Sequence, residues 1–362
     1  MKCFNYQQSA SLAEFLKTSW HPDMLILHYT GNIFGIGASA FSLAARDKIN
    51  SLKKRKDAQG YITLLADADH LGYHGFRPSS GEKRLIRQYW PGNLTILLYN
   101  NNPRWQHLAI AERVAVRVPE DDFLRSYIHR SGYPLLSTSV NISGQTPETS
   151  LKAILEKYRD WFDVGLLPPD NLPGSGLPST IITEKEGVID CLREGEIACE
   201  EIRESYLHPL ILFVCTGNIC RSPLAEYYFR VSSEQHGLPF RATSAGFLEA
   251  GHKISEHSRT LLAEEGINSC SHKSQVIDSI MIRKSYLILT MEERQREMLL
   301  RISPQAAGKV STLSEFCGVD YCRDGSDIED PYGSTPDFYR QTYEQIKHRI
   351  DKLVQILRKE VE

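Results

Sequence analysis

One stretch of this 362-residue chain gathers the groups that transfer a phosphoryl group without a metal: Cys215-Thr216-Gly217-Asn218-Ile219-Cys220-Arg221-Ser222. It follows Leu210-Ile211-Leu212-Phe213-Val214, an unbroken apolar run of the kind that forms a parallel strand buried on both faces. A helix is predicted to follow at once. Ser222 suits its N-cap and Pro223 its first position, with Leu224, Ala225, Tyr228 and Phe229 at helical spacing. A loop running into a helix N-terminus aims successive backbone N–H groups into one concavity, and the helix dipole adds positive charge, so it suits a phosphate dianion. A cysteine in such a cradle loses its proton readily. The Arg221 guanidinium is placed to stabilise the thiolate and to hold two equatorial phosphoryl oxygens, and Gly217 lets the backbone approach closely. The plainer reading makes Cys215 a small hydrophobe ending a strand and Arg221 a solvated helix-start residue.

Transfer to sulfur also needs an acid. Asp330-Pro331-Tyr332-Gly333 lies in a polar loop before the last helical segment, and Asp330 is the candidate. Protonated, it supplies a proton to the departing oxygen; ionised, it activates the water that hydrolyses a cysteinyl-phosphate. A calcium loop fits poorly, because the alternating Asp-x-Asp-x-Asp-Gly spacing is missing. The Cys317 and Cys322 pair lacks two further ligands for a zinc site. No metal site is therefore expected.

On these motifs, residues 210–362 resemble a low-molecular-weight protein tyrosine phosphatase. Its Cys-x5-Arg-Ser loop falls on Cys215 to Ser222, its Asp-Pro acid loop on Asp330 and Pro331, and its Ser-Ala-Gly segment on Ser244 to Gly246. The resemblance implies a cofactor-free phosphatase acting on a phosphoprotein through a cysteinyl-phosphate. It makes Cys215, Arg221 and Asp330 catalytic, with Thr216, Gly217, Asn218, Ile219, Cys220 and Ser222 completing the phosphate loop. It further implies that Asn218, Ser222 and Ser244 brace that loop, that Cys220 protects Cys215 as a reversible disulfide, and that Tyr332 walls the substrate slot. Relatives of this family also act on phosphoarginine or reduce arsenate. Arginine phosphatases tend to carry Thr where this chain has Ile219, which favours a flat phenol here. The arsenate relay needs two further cysteines earlier in sequence than Cys317 and Cys322.

The first half carries a weaker set of signals. Pro134 to Gly144 begins as a strand and ends in the hydroxyls and amide of Ser137, Thr138, Ser139, Asn141 and Ser143, which suit phosphate, ribose or amino-acid recognition. Lys53-Lys54-Arg55-Lys56 lies in a region, residues 46–87, with ten basic groups against five acidic, and is able to neutralise a triphosphate. Thr30 to Gly37 is glycine-rich but matches neither a Walker loop nor the dinucleotide fingerprint. Together with Trp90 to Thr95, Val114 to Pro119, Pro178 to Ile181 and Arg193 to Ile197, these stretches resemble the YrdC-type threonylcarbamoyl-adenylate synthase family over residues 10–200.

That resemblance implies synthesis of threonylcarbamoyl-AMP and pyrophosphate from L-threonine, bicarbonate and ATP with Mg2+, for transfer onto tRNA by partner proteins. It implies ATP contacts from Lys53, Arg55, Ser139, Asn141 and Arg193, and threonine contacts from Asn32, Thr95, Arg117 and Ser179. The chain departs from the pattern in its first motif. Where the family has Tyr-Pro-Thr-Glu-Thr, it has His28-Tyr29-Thr30-Gly31-Asn32, and the proline after the Lys-x-Arg motif is Lys56, with Gln59 following. A non-catalytic module binding nucleotide or structured, double-stranded RNA is the alternative for this half, and phosphoarginine the alternative substrate for the other.

These sites need elements to hold them. At 41% apolar content the chain can build about two cores, and its net charge of −3 excludes a globally basic nucleic-acid binder. Strands are predicted at 24–28, 62–66, 94–99, 114–118, 210–214, 241–245, 286–290 and 309–313, and a final helix from Phe338 presents Tyr343, Ile346, Ile350, Leu353 and Leu357 on one face. Pro168 to Gly176 reads as a loop. The fold class is α/β: a YrdC-like mixed sheet domain over residues 1–206, then a doubly wound, parallel four-stranded domain over 210–362. Eight cysteines are too few for a disulfide framework and suit a reducing compartment. With no secretion signal and no apolar run near 18 residues, the expectation is a cytoplasmic protein without membrane association.

Overall fold

The computed structural model describes residues 1–55, 60–168, 175–318 and 327–361. Lys56, Gln59, Cys322, Asp324 and the middle of the Pro168 to Gly176 stretch lie outside the described residues. The chain divides into two compact units, Met1–Glu82 with Tyr89–Ile202, and Arg203–Glu362 with Lys83–Gln88.

The second unit is built on β11 (Leu210–Val214), β12 (Arg241–Ala245), β13 (Ser285–Thr290) and β14 (Val310–Thr312), all parallel, in the order β12-β11-β13-β14. Both faces are covered, which is why the strands read as continuous apolar runs. Ile211 and Phe213 enter one core with Leu224, Phe229, Leu287 and Leu289, whereas Leu212 and Val214 enter another with Ile288, Leu299 and Val310. The helix Pro336–Val361 closes the first core with Tyr343, Ile346, Ile350, Leu353 and Leu357. Since β11 lies between its two successors, the strand order reverses at it. The crevice beyond its carboxyl end is the switch point where such sheets bind ligands. Cys215 is the first residue past that end.

The first unit is a mixed sheet of ten strands, ordered β1-β8-β2-β3-β7-β4-β6-β5-β9-β10 among the described residues. These are β1 (Lys2–Asn5), β2 (Ile26–Tyr29), β3 (Phe34–Ser39), β4 (Ile62–Leu64), β5 (Leu94–Tyr99), β6 (Arg113–Arg117), β7 (Leu135–Ser139), β8 (Val164–Leu167), β9 (Thr180–Lys185) and β10 (Val188–Arg193). Helices Ser9–Thr18 and Asp122–Ser131 cover part of it, packing Leu12, Phe15, Leu124 and Ile128 on Ile26, Leu64, Leu135 and Val164. The predicted strands are present. The glycine-rich Thr30 to Gly37 stretch, however, is not a phosphate loop: its second half is β3, an interior strand paired with β2 and β7. The first unit also contains a Cys191–Cys199 disulfide that the cysteine count does not anticipate. Among the described residues no helix is long and apolar enough to cross a membrane.

Candidate active sites

In the second unit, β11 runs directly into the loop Cys215 to Cys220 and the helix Arg221–Gln235. Its N-cap is Cys220, not Ser222 as the sequence suggests. Ser222 is completely buried inside the first turn because its hydroxyl serves the loop. Asn218 Nδ2 donates to Ser222 Oγ at 2.9 Å, which leaves the serine proton to point at Cys215 Sγ, 3.0 Å away. The Asn218 backbone N–H also donates to that sulfur at 3.3 Å.

Asn218 organises the cradle. Its φ of 53° is left-handed, a conformation few residues hold without support. Support comes from every side: Nδ2 also reaches Ser244 Oγ at 2.7 Å, Oδ1 accepts from Gln275 N at 2.8 Å, and its carbonyl accepts from His272 Nε2 at 2.9 Å. Ser244 Oγ in turn donates a hydrogen bond to buried Glu226, at 2.5 Å, which is paired with Arg230 at 2.8 Å. A chain of satisfied hydrogen bonds thus runs from the nucleophile's neighbour to solvent. Glycine is required at 246 and not at 217. A Cβ on Gly246 would lie 2.8 Å from Thr216 O and 2.9 Å from Asn218 N, whereas one on Gly217 would make ordinary contacts with Ile219, at 3.5 Å, and Leu248, at 4.0 Å.

Arg221 is 1% exposed. It donates through Nη1 to Glu292 and to Ile328 O, 2.7 Å away, and through Nη2 to Asp330 Oδ2 at 2.6 Å. Its Nε is buried with no partner among the described residues, a donor left for an oxyanion. Cys215, Thr216, Gly217, Ile219, Cys220, Asp330 and Tyr332 line one cavity of about 700 Å³, with Phe247, Leu248, Glu249 and His252 on its rim. Tyr332 is 69% exposed there, an open wall. Cys220 also bonds Tyr339 Oη at 3.4 Å, and burial raises its thiol pKa. Of the expected residues, Cys215, Thr216, Gly217, Ile219, Cys220, Asp330 and Tyr332 line the cavity, Asn218, Ser222 and Ser244 brace the loop behind it, and Arg221 reaches Asp330. Glu226, His272, Gln275 and Glu292 were missed, since only packing shows where their side chains go; Glu292 was the findable one, lying just beyond the carboxyl end of β13 beside β11.

In the first unit the candidates carried by strands, Thr95, Arg117, Ser139 and Arg193, fall on one sheet face. Directly paired residues share a face, and the register links Gly35 to Ser139, Gly37 and Ile62 to Ser137, Leu97 to Ala115, Thr95 to Ile181, and Ile181 to Arg193. Arg117, two residues beyond Ala115, joins them. Two clusters form on this frame. In one, Lys53 Nζ donates to Ser139 O and, at 2.8 Å, to both Asn141 O and Oδ1, while Ser139 Oγ meets Asn141 Oδ1 at 2.6 Å. Burial and then the Arg55 charge pull the Lys53 ammonium down to about 7. Arg55 donates to Thr138 Oγ1 at 2.8 Å and lies over the Tyr61 ring, 4.7 Å from its centroid.

In the other cluster, Arg117 donates through Nε to Gly92 O at 2.7 Å and through Nη2 to Thr30 O and Asn32 Oδ1, both 3.2 Å, and to Asn93. Burial lowers its pKa to about 10. Thr95 Oγ1 and Ser179 Oγ are 2.8 Å apart. Arg193, expected with the ATP group, sits on Ser179, with Nη2 2.7 Å from its carbonyl. It also lines a cavity of about 330 Å³ with Tyr61, Ile62, Leu97, Ala115 and Ile181, so it stands between the two groups. Asn93, part of the Trp90 to Thr95 motif but given no role from sequence, is a partner of Arg117.

Comparison with known proteins relates each half of the chain to a family. Residues 210–362 match the family model described as low molecular weight phosphotyrosine protein phosphatase, and residues 21–195 match the Sua5/YciO/YrdC model, described as telomere recombination. The second half is similar to a protein-arginine-phosphatase of Bacillus subtilis, 31% identical over 41% of this chain and 97% of that protein. It is also similar to a low molecular weight protein-tyrosine-phosphatase of Staphylococcus haemolyticus, 33% identical over 40% and 96%. The first half is similar to a threonylcarbamoyl-AMP synthase of Bacillus subtilis, 30% identical over 50% of this chain and 52% of that protein. The chain is thus a fusion of two enzyme families, a YrdC-type threonylcarbamoyl-adenylate synthase domain followed by a low-molecular-weight protein tyrosine phosphatase domain.

Proposed function

We propose that the chain is a bifunctional enzyme whose two functional domains span residues 1–206 and 210–362. The second hydrolyses phosphotyrosine on a protein. The observation that carries this reading is Cys215 Sγ at the mouth of a hydrogen-bonded cradle with the Asp330 carboxylate lining the same cavity. Cys215 attacks phosphorus as a thiolate, the bond to the tyrosyl oxygen breaks, and Asp330 gives that oxygen its proton. Loop N–H groups and the Arg221 guanidinium hold the equatorial oxygens throughout. Asp330 then takes a proton from the water that displaces sulfur, returning thiolate and inorganic phosphate. Cys220, in the same cavity, is the partner for reversible protection of Cys215.

The arginine phosphatase among the relatives makes the substrate a sharp question. Ile219 lines the cavity as a branched apolar wall, which packs on a phenol ring but offers nothing to a guanidinium. Phosphotyrosine peptides are expected to exceed phosphoarginine peptides in kcat/KM by at least about tenfold, and Ile219→Thr to narrow that ratio by a similar factor. Faster turnover of phosphoarginine by the unaltered protein would transfer the site to that substrate.

The first domain makes threonylcarbamoyl-AMP from L-threonine, bicarbonate and ATP, the nucleotide arriving as its Mg2+ complex, for tRNA modification by partner proteins. Lys53, Arg55 and Asn141 face the triphosphate, and Arg117 with Ser179 and Asn32 faces the amino acid. The separation of two polar clusters on one sheet face supports two substrates held side by side. Pyrophosphate release by the full chain should require threonine and bicarbonate together, and Arg55→Ala should lower it on the order of 100-fold by removing a charge-assisted contact to phosphate. ATP binding without pyrophosphate release would leave this domain a nucleotide-binding module.

A further inference from the structure

The motif in which this chain departs from its family loses a carboxylate at Gly31, and the fold returns one from elsewhere. Gly31 has φ +102°, and a Cβ built on it would stand 2.8 Å from Glu120 Cβ and 3.4 Å from Glu120 Oε2. The Glu120 side chain, arriving from the loop after β6, therefore fills the space that a side chain at 31 would take. Neighbouring carboxylates are already engaged. Asp121 caps the helix Asp122–Ser131 and accepts from Tyr6, and Glu196 accepts from Ser175 Oγ at 2.6 Å. No described residue donates a hydrogen bond to Glu120. Burial and the negative charge of Glu196 push its pKa up while Arg117 opposes them, so a cation beside it relieves a real cost.

Arg117, three residues earlier, supplies the complementary charge. Its Nε and Nη2 are committed to Gly92, Thr30, Asn32 and Asn93, which leaves Nη1 with no partner among the described residues. A free α-amino acid is a zwitterion, and a site that binds it well needs one group of each sign on the same wall. We propose that Glu120 is a substrate-binding residue of the first domain, its carboxylate, standing where a side chain at Gly31 would be, pairing with the ammonium group of the α-amino acid while Arg117 Nη1 takes its carboxylate. The inference rests on the synthase reading of this domain and adds the residue that distinguishes an amino acid from a hydroxy acid.

Titration calorimetry of the full chain with L-threonine, in the presence of the non-cleavable α,β-methylene analogue of ATP, tests it. The comparison ligand is 2,3-dihydroxybutanoate, in which a hydroxyl replaces the ammonium. Glu120→Gln should weaken threonine binding roughly ten- to thirty-fold, change dihydroxybutanoate binding less than about twofold, and leave ATP-analogue binding in place. Glu120→Asp, which keeps the charge on a shorter stem, should recover part of the threonine affinity. Unaltered affinity for the ATP analogue in each variant reports an intact first domain. Equal loss of both ligands, or no loss of threonine, overturns the role of Glu120 while the synthase reading stands. An unaltered protein that binds the ATP analogue but neither ligand overturns both.

Discussion

Cys215→Ser abolishes phosphatase turnover, lowering kcat on the order of 10,000-fold or more, while inorganic phosphate still binds. The two properties separate because they reside in different atoms. In the proposed mechanism phosphate is held by loop N–H groups, the helix start and Arg221, none of which the substitution touches. Serine also keeps the hydrogen bonds that the sulfur now makes with Asn218 N and Ser222 Oγ. What it lacks is an ionised nucleophile, since an alcohol in the same cradle stays protonated at neutral pH. Single-turnover assays on a phosphotyrosine peptide measure the first effect and 31P line broadening of phosphate the second. Acid quenching of the unaltered protein during turnover should trap phosphate on Cys215. A Cys215→Ser protein retaining even a few per cent of activity would falsify the cysteinyl-phosphate route.

Asp330→Asn costs most where the leaving group is poorest. The amide is isosteric and its oxygen can still accept from Arg221 Nη2, so the loop geometry survives. It has no proton to give. For phenyl phosphate, whose oxygen must be protonated as it departs, kcat should fall roughly 100- to 1,000-fold. For 4-nitrophenyl phosphate, which leaves without help, the first step is nearly unaffected and only hydrolysis of the phosphoenzyme slows. The variant should then show a burst of nitrophenol followed by a slow steady rate. A plot of rate against leaving-group basicity that is steeper than for the unaltered protein is the signature. Parallel lines would move the acid to another residue, and Glu292, the other carboxylate on Arg221, is the one to examine next.

The phosphatase half was legible in sequence because its chemistry is contiguous. Cys215, Arg221 and the loop between them occupy one strand-to-helix turn, and an apolar run of Leu210 to Val214 can hardly be anything other than a strand buried on both faces. Side-chain period likewise exposed the last helix, whose buried face is the one the spacing of Tyr343 to Leu357 indicates. Ser222 shows the limit of such rules: its type suits an N-cap, but a serine near a helix start is equally free to turn inward, and Asn218 draws it there. The synthase half was legible only as scattered motifs. Its candidates come from four strands, from loops between strands and from the end of the helix Leu43–Leu52, and no local pattern says which will share a face.

Composition, strand and helix periods and the phosphate loop are properties of neighbours along the chain, and the sequence alone determined them: two α/β units, a nucleophile at a helix start, a cluster of basic and hydroxyl groups. Tertiary structure decided everything that depends on residues far apart meeting across a sheet. It set Arg193 on Ser179 and not beside Lys53, made Gly246 rather than Gly217 the glycine the loop cannot lose, and brought Glu120 into the space above Gly31. The physical reason is that strand order and register, not sequence distance, choose which side chains become neighbours, and both are settled by burying the cores on either face.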